Sequence, residues 1–207
     1  MKKVFCLFLF SLLISSVFAQ GTAKKDALVL YHNGRYAESI AVCEEELLSN
    51  PNRIESYVVM CWSLVKNKQY KEAEQRATDA LAISPYDLRL TEVLGEAKYY
   101  LGKNTQAMEQ FQKYLASAPD NGSRVGTAFY YIGEIYIKQG RYQHADISFT
   151  SACKKDPTVD KWWVRCGYAR EMAGNFSEAV SAYEEALRLN PSNVDATTGR
   201  ERVNKKL

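Results

Sequence analysis

The side chains that could do acid–base or metal chemistry in this sequence are few and widely separated. Only two histidines are present, His32 and His144, and they lie far apart along the chain. A metal site or a general base with its partners needs several such groups within reach of one another, and no closely spaced set of His and Cys occurs. The acidic runs at 44–46 and 184–185 have the character of solvated helix faces. We therefore expect no catalytic residue, no metal site and no cofactor.

Glycine and charge patterns point the same way. The glycines recur singly and never form a phosphate-binding loop, and no serine lies in a nucleophile elbow. The formal net charge is +3, from 27 basic and 24 acidic residues. Without Lys2 and Lys3 the balance is 25 to 24, which is too even for a surface that binds nucleic acid through bulk charge. The sequence favours a protein that is neither an enzyme nor a nucleic-acid binder.

Residues 1–19 have the pattern of a secretory signal peptide: a basic start, an apolar run and a small residue before a polar one. The apolar run, 4–18, has 15 residues, whereas a membrane-spanning helix needs about 20. Cleavage after Ala19 would leave Gln20 as the first residue of a mature chain with no integral membrane segment. The alternative is an uncleaved anchor. Cleavage predicts an exported protein, periplasmic in a bacterium and secreted otherwise.

All five prolines recur at a nearly constant interval. They stand at 51, 85, 119, 157 and 191, with spacings of 34, 34, 38 and 34. A glycine, an aromatic residue and a small residue precede most of them at fixed offsets, as in Gly140, Tyr142 and Ala145. A repeat period between about 20 and 50 residues indicates a solenoid of stacked supersecondary units.

These positions resemble the tetratricopeptide repeat, a 34-residue helix–turn–helix unit. The fourth copy matches most closely, through Phe129, Ile132-Gly133, Tyr136, Ala145, Phe149, Ala152 and Pro157. The resemblance implies an all-α fold, a right-handed α-solenoid of five repeats with a C-terminal capping helix. The predicted units are 20–53 (the most degenerate), 54–87, 88–121, a loop insertion at 122–125, 126–159, 160–193 and the cap at 194–207.

Each repeat should contain a helix-ending turn and a close helix–helix contact. Gly34, Gly102, Gly140 and Gly174 stand where the left-handed conformation ends a helix. Lys68 occupies that position in the second repeat, where we expect strain or a different turn. Small residues at Gly95, Gly133 and Gly167 should let the two helices of a repeat approach closely.

The resemblance places one face of each first helix on a concave surface. This face is rich in tyrosine, and aromatic residues dominate the binding energy of protein interfaces. The predicted groove residues are Tyr31, Trp62, Lys66, Arg89, Glu96, Tyr99, Tyr100, Tyr130, Tyr131, Glu134, Arg165 and Tyr168. The competing interpretation is that several of these rings pack on the neighbouring repeat. Family members that clamp chaperone tails carry Lys and Asn at set groove positions; here Lys24 is followed by Leu28 and Val59, so that pattern is not met.

Four cysteines follow the leader, in two similarly placed pairs. Stacked helices and an oxidising compartment would allow the bridges Cys43–Cys61 and Cys153–Cys166. The favoured alternative is four small buried thiols at apolar repeat positions.

The pattern as a whole predicts a non-catalytic scaffold that binds a protein or an extended peptide, as part of an assembly in the cell envelope. Two other functions stay open: a small-ligand-binding protein that uses the tyrosine-lined groove, and a structural subunit that stacks end to end.

Overall fold

The computed structural model describes residues 26–207, which form eleven α-helices and contain no β-strand. The predicted signal peptide, with Ala19 and Gln20, lies outside the described residues. The helices are α1 (Ala27–His32), α2 (Tyr36–Ser49), α3 (Ile54–Lys66), α4 (Tyr70–Ile83), α5 (Leu88–Tyr100), α6 (Asn104–Ser117), α7 (Val125–Lys138), α8 (Tyr142–Lys155), α9 (Asp160–Ala173), α10 (Phe176–Leu189) and α11 (Val194–Asn204). They form five consecutive hairpins and one final helix, so the predicted all-α solenoid is confirmed.

The turn inside each hairpin is set by one residue in the left-handed conformation. Gly34, Gly102, Gly140 and Gly174 have φ of 73°, 75°, 69° and 84°. In every turn the next residue's N–H donates to a carbonyl five residues back, as from Arg141 to Tyr136 at 2.9 Å. This is the Schellman pattern, which satisfies a carbonyl that the helix end would leave unpaired. Lys68 uses the same turn with φ of 63°, so the strained alternative is the one that occurs.

In the last three hairpins a ring from the second helix covers a glycine of the first. A Cβ atom added at Gly95 would lie 2.8 Å from the Phe111 ring, and one at Gly133 would lie 2.6 Å from Phe149. Tyr183 covers Gly167 in the same way. Because a Cβ cannot approach so closely, these glycines are what allows the two helices to pack around a buried ring.

The hairpins stack so that their first helices form one row. The close contacts between helices two apart in the chain join α1 to α3, α3 to α5, α5 to α7, and α9 to α11. Since these first helices approach one another across each repeat, they occupy the shorter, concave side of a curved stack. We call α1, α3, α5, α7, α9 and α11 the inner row, and α2, α4, α6, α8 and α10 the outer row.

The four-residue difference in the repeat period lies between α6 and α7. Here Gly122 donates to the carbonyl of Pro119 at 2.8 Å, and α7 begins only at Val125. The residue before it, Arg124, is the N-cap of α7 and points back towards α5 through its ion pairs. The longer loop therefore adds a cation to the inner row.

The final helix covers the end of the stack. Its buried residues, Ala196, Gly199 and Val203, face α10, and the Tyr183 ring fills the space that a Cβ of Gly199 would need. None of the helices in residues 26–207 is both long and apolar enough to cross a bilayer.

Candidate functional site

The predicted groove residues all lie on inner-row helices. Tyr31 is on α1; Trp62 and Lys66 are on α3; Arg89, Glu96, Tyr99 and Tyr100 are on α5; Tyr130, Tyr131 and Glu134 are on α7; Arg165 and Tyr168 are on α9. We call the surface that they line the groove. Their exposure differs widely, and the differences decide which of them a partner could touch.

Four tyrosines of α5 and α7 form one contiguous group, which we call the tyrosine cluster: Tyr99, Tyr100, Tyr130 and Tyr131. The Tyr99 and Tyr131 ring centroids are 5.0 Å apart, and those of Tyr130 and Tyr131 are 5.5 Å apart. The hydroxyls of Tyr100 and Tyr131 share a hydrogen bond of 3.0 Å. The structure thus brings together the rings that the repeat pattern placed on two adjacent helices.

The cluster continues into rings on both sides. Tyr70, at the start of α4, stacks on Tyr100 at 4.5 Å, and Trp162 of α9 stacks on Tyr130 at 6.0 Å. The Lys138 ammonium lies 3.7 Å above the Tyr99 ring, a cation–π contact. The result is a continuous band of aromatic side chains that crosses four repeats.

Neighbouring tyrosines do not share one environment, because successive residues of a helix point about 100° apart. Tyr100 is 45% exposed, whereas Tyr131 is 8% exposed and stacks on Phe111 at 5.3 Å. Tyr131 therefore lies in the core between α5, α6 and α7 and offers little surface to a partner. Burial raises the pKa of Tyr99 to about 12 and that of Tyr131 further, so these phenols stay neutral.

Ion pairs link successive inner-row helices, and we call the series the ion-pair ladder. Each rung joins a carboxylate of one first helix to a guanidinium on, or just before, the next. The rungs are Glu55 with Arg89, Glu92 and Glu96 with Arg124, Glu134 with Arg165, and Glu171 with Arg202. Three of them are bidentate: Arg89 lies 2.8 and 2.9 Å from the two Glu55 oxygens, and Arg202 lies 2.6 and 2.5 Å from those of Glu171. Arg165 likewise donates to both oxygens of Glu134. Most groove charges are therefore neutralised within the protein.

The rung at Arg124 differs from the others because two carboxylates share one guanidinium. Glu92 is fully buried and Glu96 is 3% exposed, so neither is a surface residue of the groove. Arg124 Nη2 donates to Glu92 Oε1 at 2.8 Å and also to Glu96 Oε1. Burial raises the pKa of Glu92, although the Arg124 charge opposes that shift.

Sequence reasoning missed two residues that matter here. Arg124 falls at the loop insertion, where no repeat alignment assigns a role, and the four extra residues were the only signal of it. Trp162 precedes the aligned Trp163 by one position, so the repeat pattern drew attention to its neighbour. Both contact the predicted groove residues through the interactions given above.

The cysteines and histidines among residues 26–207 do not come together as a catalytic or metal site. Cys43, Cys61, Cys153 and Cys166 are buried free thiols, so neither of the two bridges is formed. Burial raises the pKa of Cys43 and Cys153 to about 12, which suppresses the reactive thiolate. His32 and His144 are both exposed. Among residues 26–207 no group of three or more His, Cys, Asp and Glu is placed to hold a metal ion.

Comparison with known proteins supports this architecture. The Cilia and flagella-associated protein 70 C-terminal domain family matches residues 27–196. Human Cilia- and flagella-associated protein 70 is 23% identical over 141 residues, which are 68% of this chain and 12% of that protein. The chain thus spans about an eighth of the length of this curated relative.

Solved structures share the fold at low identity. TTC0263, a thermophilic TPR protein from Thermus thermophilus, superposes with a TM-score of 0.66 and 20% identity, over 86% of this chain and 95% of that one. YrrB, described as a TPR protein with an unusual peptide-binding site, gives a TM-score of 0.64 and 19% identity, over 87% and 89% of the two chains. With five helical hairpins, a capping helix and a family match across most of its length, this chain is a tetratricopeptide-repeat protein and belongs to the Cilia and flagella-associated protein 70 C-terminal domain family.

Proposed function

We propose that this protein is a non-catalytic scaffold that binds a protein or an extended peptide in the groove. Tetratricopeptide-repeat proteins generally mediate protein–protein interactions, and the concave face of a solenoid is a long continuous surface. The observation that carries the proposal is the band of aromatic side chains, which reaches the surface at Tyr100. Rigid aromatic rings give large contact area at a low entropic cost.

The ion-pair ladder indicates what kind of partner the groove accepts. A site for an acidic tail would need a cluster of unpaired cations, but Arg89, Arg124 and Arg165 are each held by a carboxylate of the preceding first helix. Within the described part of the chain, Lys66 is then the one unpaired cation among the predicted groove residues. Contacts with the aromatic band, rather than a field of positive charge, then supply most of the affinity. We expect binding to depend only weakly on salt.

The test uses peptides selected on the protein from a random phage-displayed library, with their affinities measured by fluorescence anisotropy. The double variant Tyr100→Ala, Tyr168→Ala should weaken binding about tenfold or more, because it removes the more accessible rings and leaves the buried Tyr131 ring in place. Tyr86→Ala is the matched control, since Tyr86 is 90% exposed on the turn between α4 and α5. Equal loss in the control, or no selected peptide at all, would count against the groove.

The place of action is a second part of the proposal: export behind residues 1–19, into the periplasm if the source is bacterial. The leader pattern supports it. Expression in a bacterial host, followed by cell fractionation and N-terminal sequencing, should give an envelope fraction that starts at Gln20. A cytoplasmic protein with intact Met1 would contradict export.

The two alternative functions have less support. The cavity of about 370 Å³ beside α1 and α3 is lined by polar side chains, including Asp26, Arg53 and Glu55, and not by the tyrosine cluster. End-to-end stacking is opposed by the polar outer face of α11. A thermal-shift screen of metabolites and light scattering test these two alternatives directly.

A further inference from the structure

One stretch of the groove concentrates buried polar atoms that have no hydrogen-bond partner. Among the described residues four such side-chain atoms occur, and three of them are Trp62 Nε1, Glu92 Oε2 and Arg124 Nε. Two of them belong to one place, because Arg124 Nη2 donates to Glu92 Oε1 at 2.8 Å. The third lies on α3, the inner-row helix that contacts α5, where the Trp62 ring packs on Tyr31 at 5.8 Å. Since buried polar groups are nearly always hydrogen-bonded, this clustering marks a site that is completed by something else.

The charges at this site are also unbalanced. Glu92 and Glu96 are buried carboxylates, and one guanidinium, Arg124, serves both. Lys66 is the other cation that acts on Glu92, but it is exposed and forms no ion pair within residues 26–207. A buried carboxylate with a free oxygen is costly unless a further donor reaches it. The missing component is therefore a hydrogen-bond donor, and a cationic donor would also balance the second carboxylate.

Aromatic rings form the walls of the site. Tyr31 and Trp62 contact each other on α1 and α3, which precede α5 in the inner row, and Tyr131 lies on α7, which follows it. A guanidinium stacks well on such rings and can donate to a carboxylate in its own plane. Tyr31 is carried by α1, a helix of only six residues, so we expect this wall to be the one that moves aside to admit a ligand.

We propose that this site, which we call the Glu92 pocket, binds an arginine side chain of the peptide that occupies the groove. The guanidinium donates to Glu92 Oε2 between the Tyr31 and Trp62 rings, and a main-chain carbonyl of the same peptide accepts from Trp62 Nε1. A main-chain carbonyl suits an indole N–H, which is a donor only. The inference rests on the function proposed above and specifies the chemistry of the ligand.

The test compares peptides selected on the wild-type protein with their citrulline counterparts, in which each arginine is replaced in turn by its neutral isostere. One arginine position should lose about tenfold or more in affinity on this change. Glu92→Gln should abolish that discrimination while the protein keeps its helical circular dichroism. Glu74→Gln is the matched control, because Glu74 is a largely buried, ion-paired carboxylate of the outer row, and it should leave the discrimination intact.

The outcomes separate this inference from the broader function. If selected peptides bind through Tyr100 but citrulline replaces every arginine without loss, as it would if water or Lys66 completes the site, the Glu92 pocket is overturned and the groove stands. If no peptide binds in a Tyr100-dependent way, both proposals fail. Should Glu92→Gln not fold, the citrulline comparison on the wild type still decides. Trp62→Phe, which removes the indole donor together with part of the ring, should weaken binding of the same peptides.

Discussion

At the scale of single residues, the two helices of each of the last three hairpins meet where a ring lies against a glycine. Phe111 covers Gly95, while the equivalent positions one repeat earlier hold Ala77 and Cys61. All four residues are fully or almost fully buried. The second hairpin therefore fills with two small side chains, Ala77 and Cys61, the space that the third hairpin fills with the Phe111 ring alone.

This exchange of volume predicts a coupling between the two positions. Gly95→Cys should cost about 1–3 kcal/mol through overpacking, and Phe111→Ala about 3–5 kcal/mol through the lost ring. The double variant should cost less than the sum by about 1 kcal/mol, because the thiol occupies part of the space that the ring leaves. Urea denaturation measures the free energy of unfolding of the two single variants and of the double variant. Gly95→Cys combined with Phe149→Ala, from the next hairpin, should be additive; additivity in the first pair would contradict the size exchange.

A second residue-scale prediction concerns the turn at Lys68. A left-handed conformation costs a residue with a Cβ about 1–2 kcal/mol, and the other four turns carry glycine. Lys68→Gly should therefore raise the free energy of unfolding by about 1 kcal/mol, after the larger chain entropy of glycine is subtracted. Lys113→Gly, an exposed position in the middle of α6, should lower it by about 1 kcal/mol. A destabilised Lys68→Gly variant would show that the lysine side chain has a role of its own.

At the scale of helices, the ion-pair ladder fixes each first helix to the next, and its last rung holds α11. Glu171 is 5% exposed and accepts from Arg202, Lys206 and the Tyr183 hydroxyl. The hydrogen bonds from Arg202 are the main reason that the pKa of Glu171 lies below its ordinary value of 4.5. Docking of the capping helix thus depends on one carboxylate being ionised.

This dependence predicts a pH effect of definite sign. Because the pKa of Glu171 is lower in the folded state, its contribution is complete above about pH 4.5 and is lost as the pH falls through the folded value. Glu171→Gln should lower the free energy of unfolding by about 3 kcal/mol at neutral pH, and by clearly less at about pH 3.5. Urea titrations at both pH values test this. Glu185→Gln, which breaks an exposed pair with Arg188, should change little; a Glu171→Gln deficit that is independent of pH would contradict the assignment.

The ion-pair ladder also shows which contacts the sequence alone could not predict. The regular glycines predicted four of the five hairpin turns, because each turn depends on residues close together in the chain; at Lys68 the sequence left two kinds of turn open. Arg124 could not be predicted, because its partners Glu92 and Glu96 lie on the preceding first helix and its own position lies at the inserted loop. Likewise the repeat offset could not show that Tyr131 would be buried and Tyr100 exposed, since that depends on the ring opposite, Phe111.

At the scale of the whole molecule, the stack is a one-dimensional array whose repeats contact mainly their neighbours. The prolines predicted this arrangement because they mark the unit that is repeated. In such an array the last unit exposes an apolar face unless a polar helix covers it. Here α11 covers Tyr183 and Ala186 of α10.

Removal of residues 194–207 should therefore do more than shorten the chain. It exposes the apolar face of α10, so we expect a lower melting temperature and concentration-dependent association in light scattering. Removal of Leu207 alone, which lies beyond the end of α11, is the control and should leave a monodisperse protein of unchanged stability. A shortened chain that behaves like the control would show that α11 is dispensable.

The ring-on-glycine contact has a consequence for how such a chain can be rebuilt or recombined. A complete hairpin carries both halves of its contact, so it can be duplicated or transplanted as one cassette. A single helix cannot. If α4 took the place of α6 as the hairpin partner of α5, Ala77 would face Gly95 and leave a hole; if α6 took the place of α4 as the partner of α3, Phe111 would clash with Cys61. Crossover points in natural or designed chimaeras of this protein should fall in the loops between hairpins and never in the turns at Gly34, Lys68, Gly102, Gly140 or Gly174.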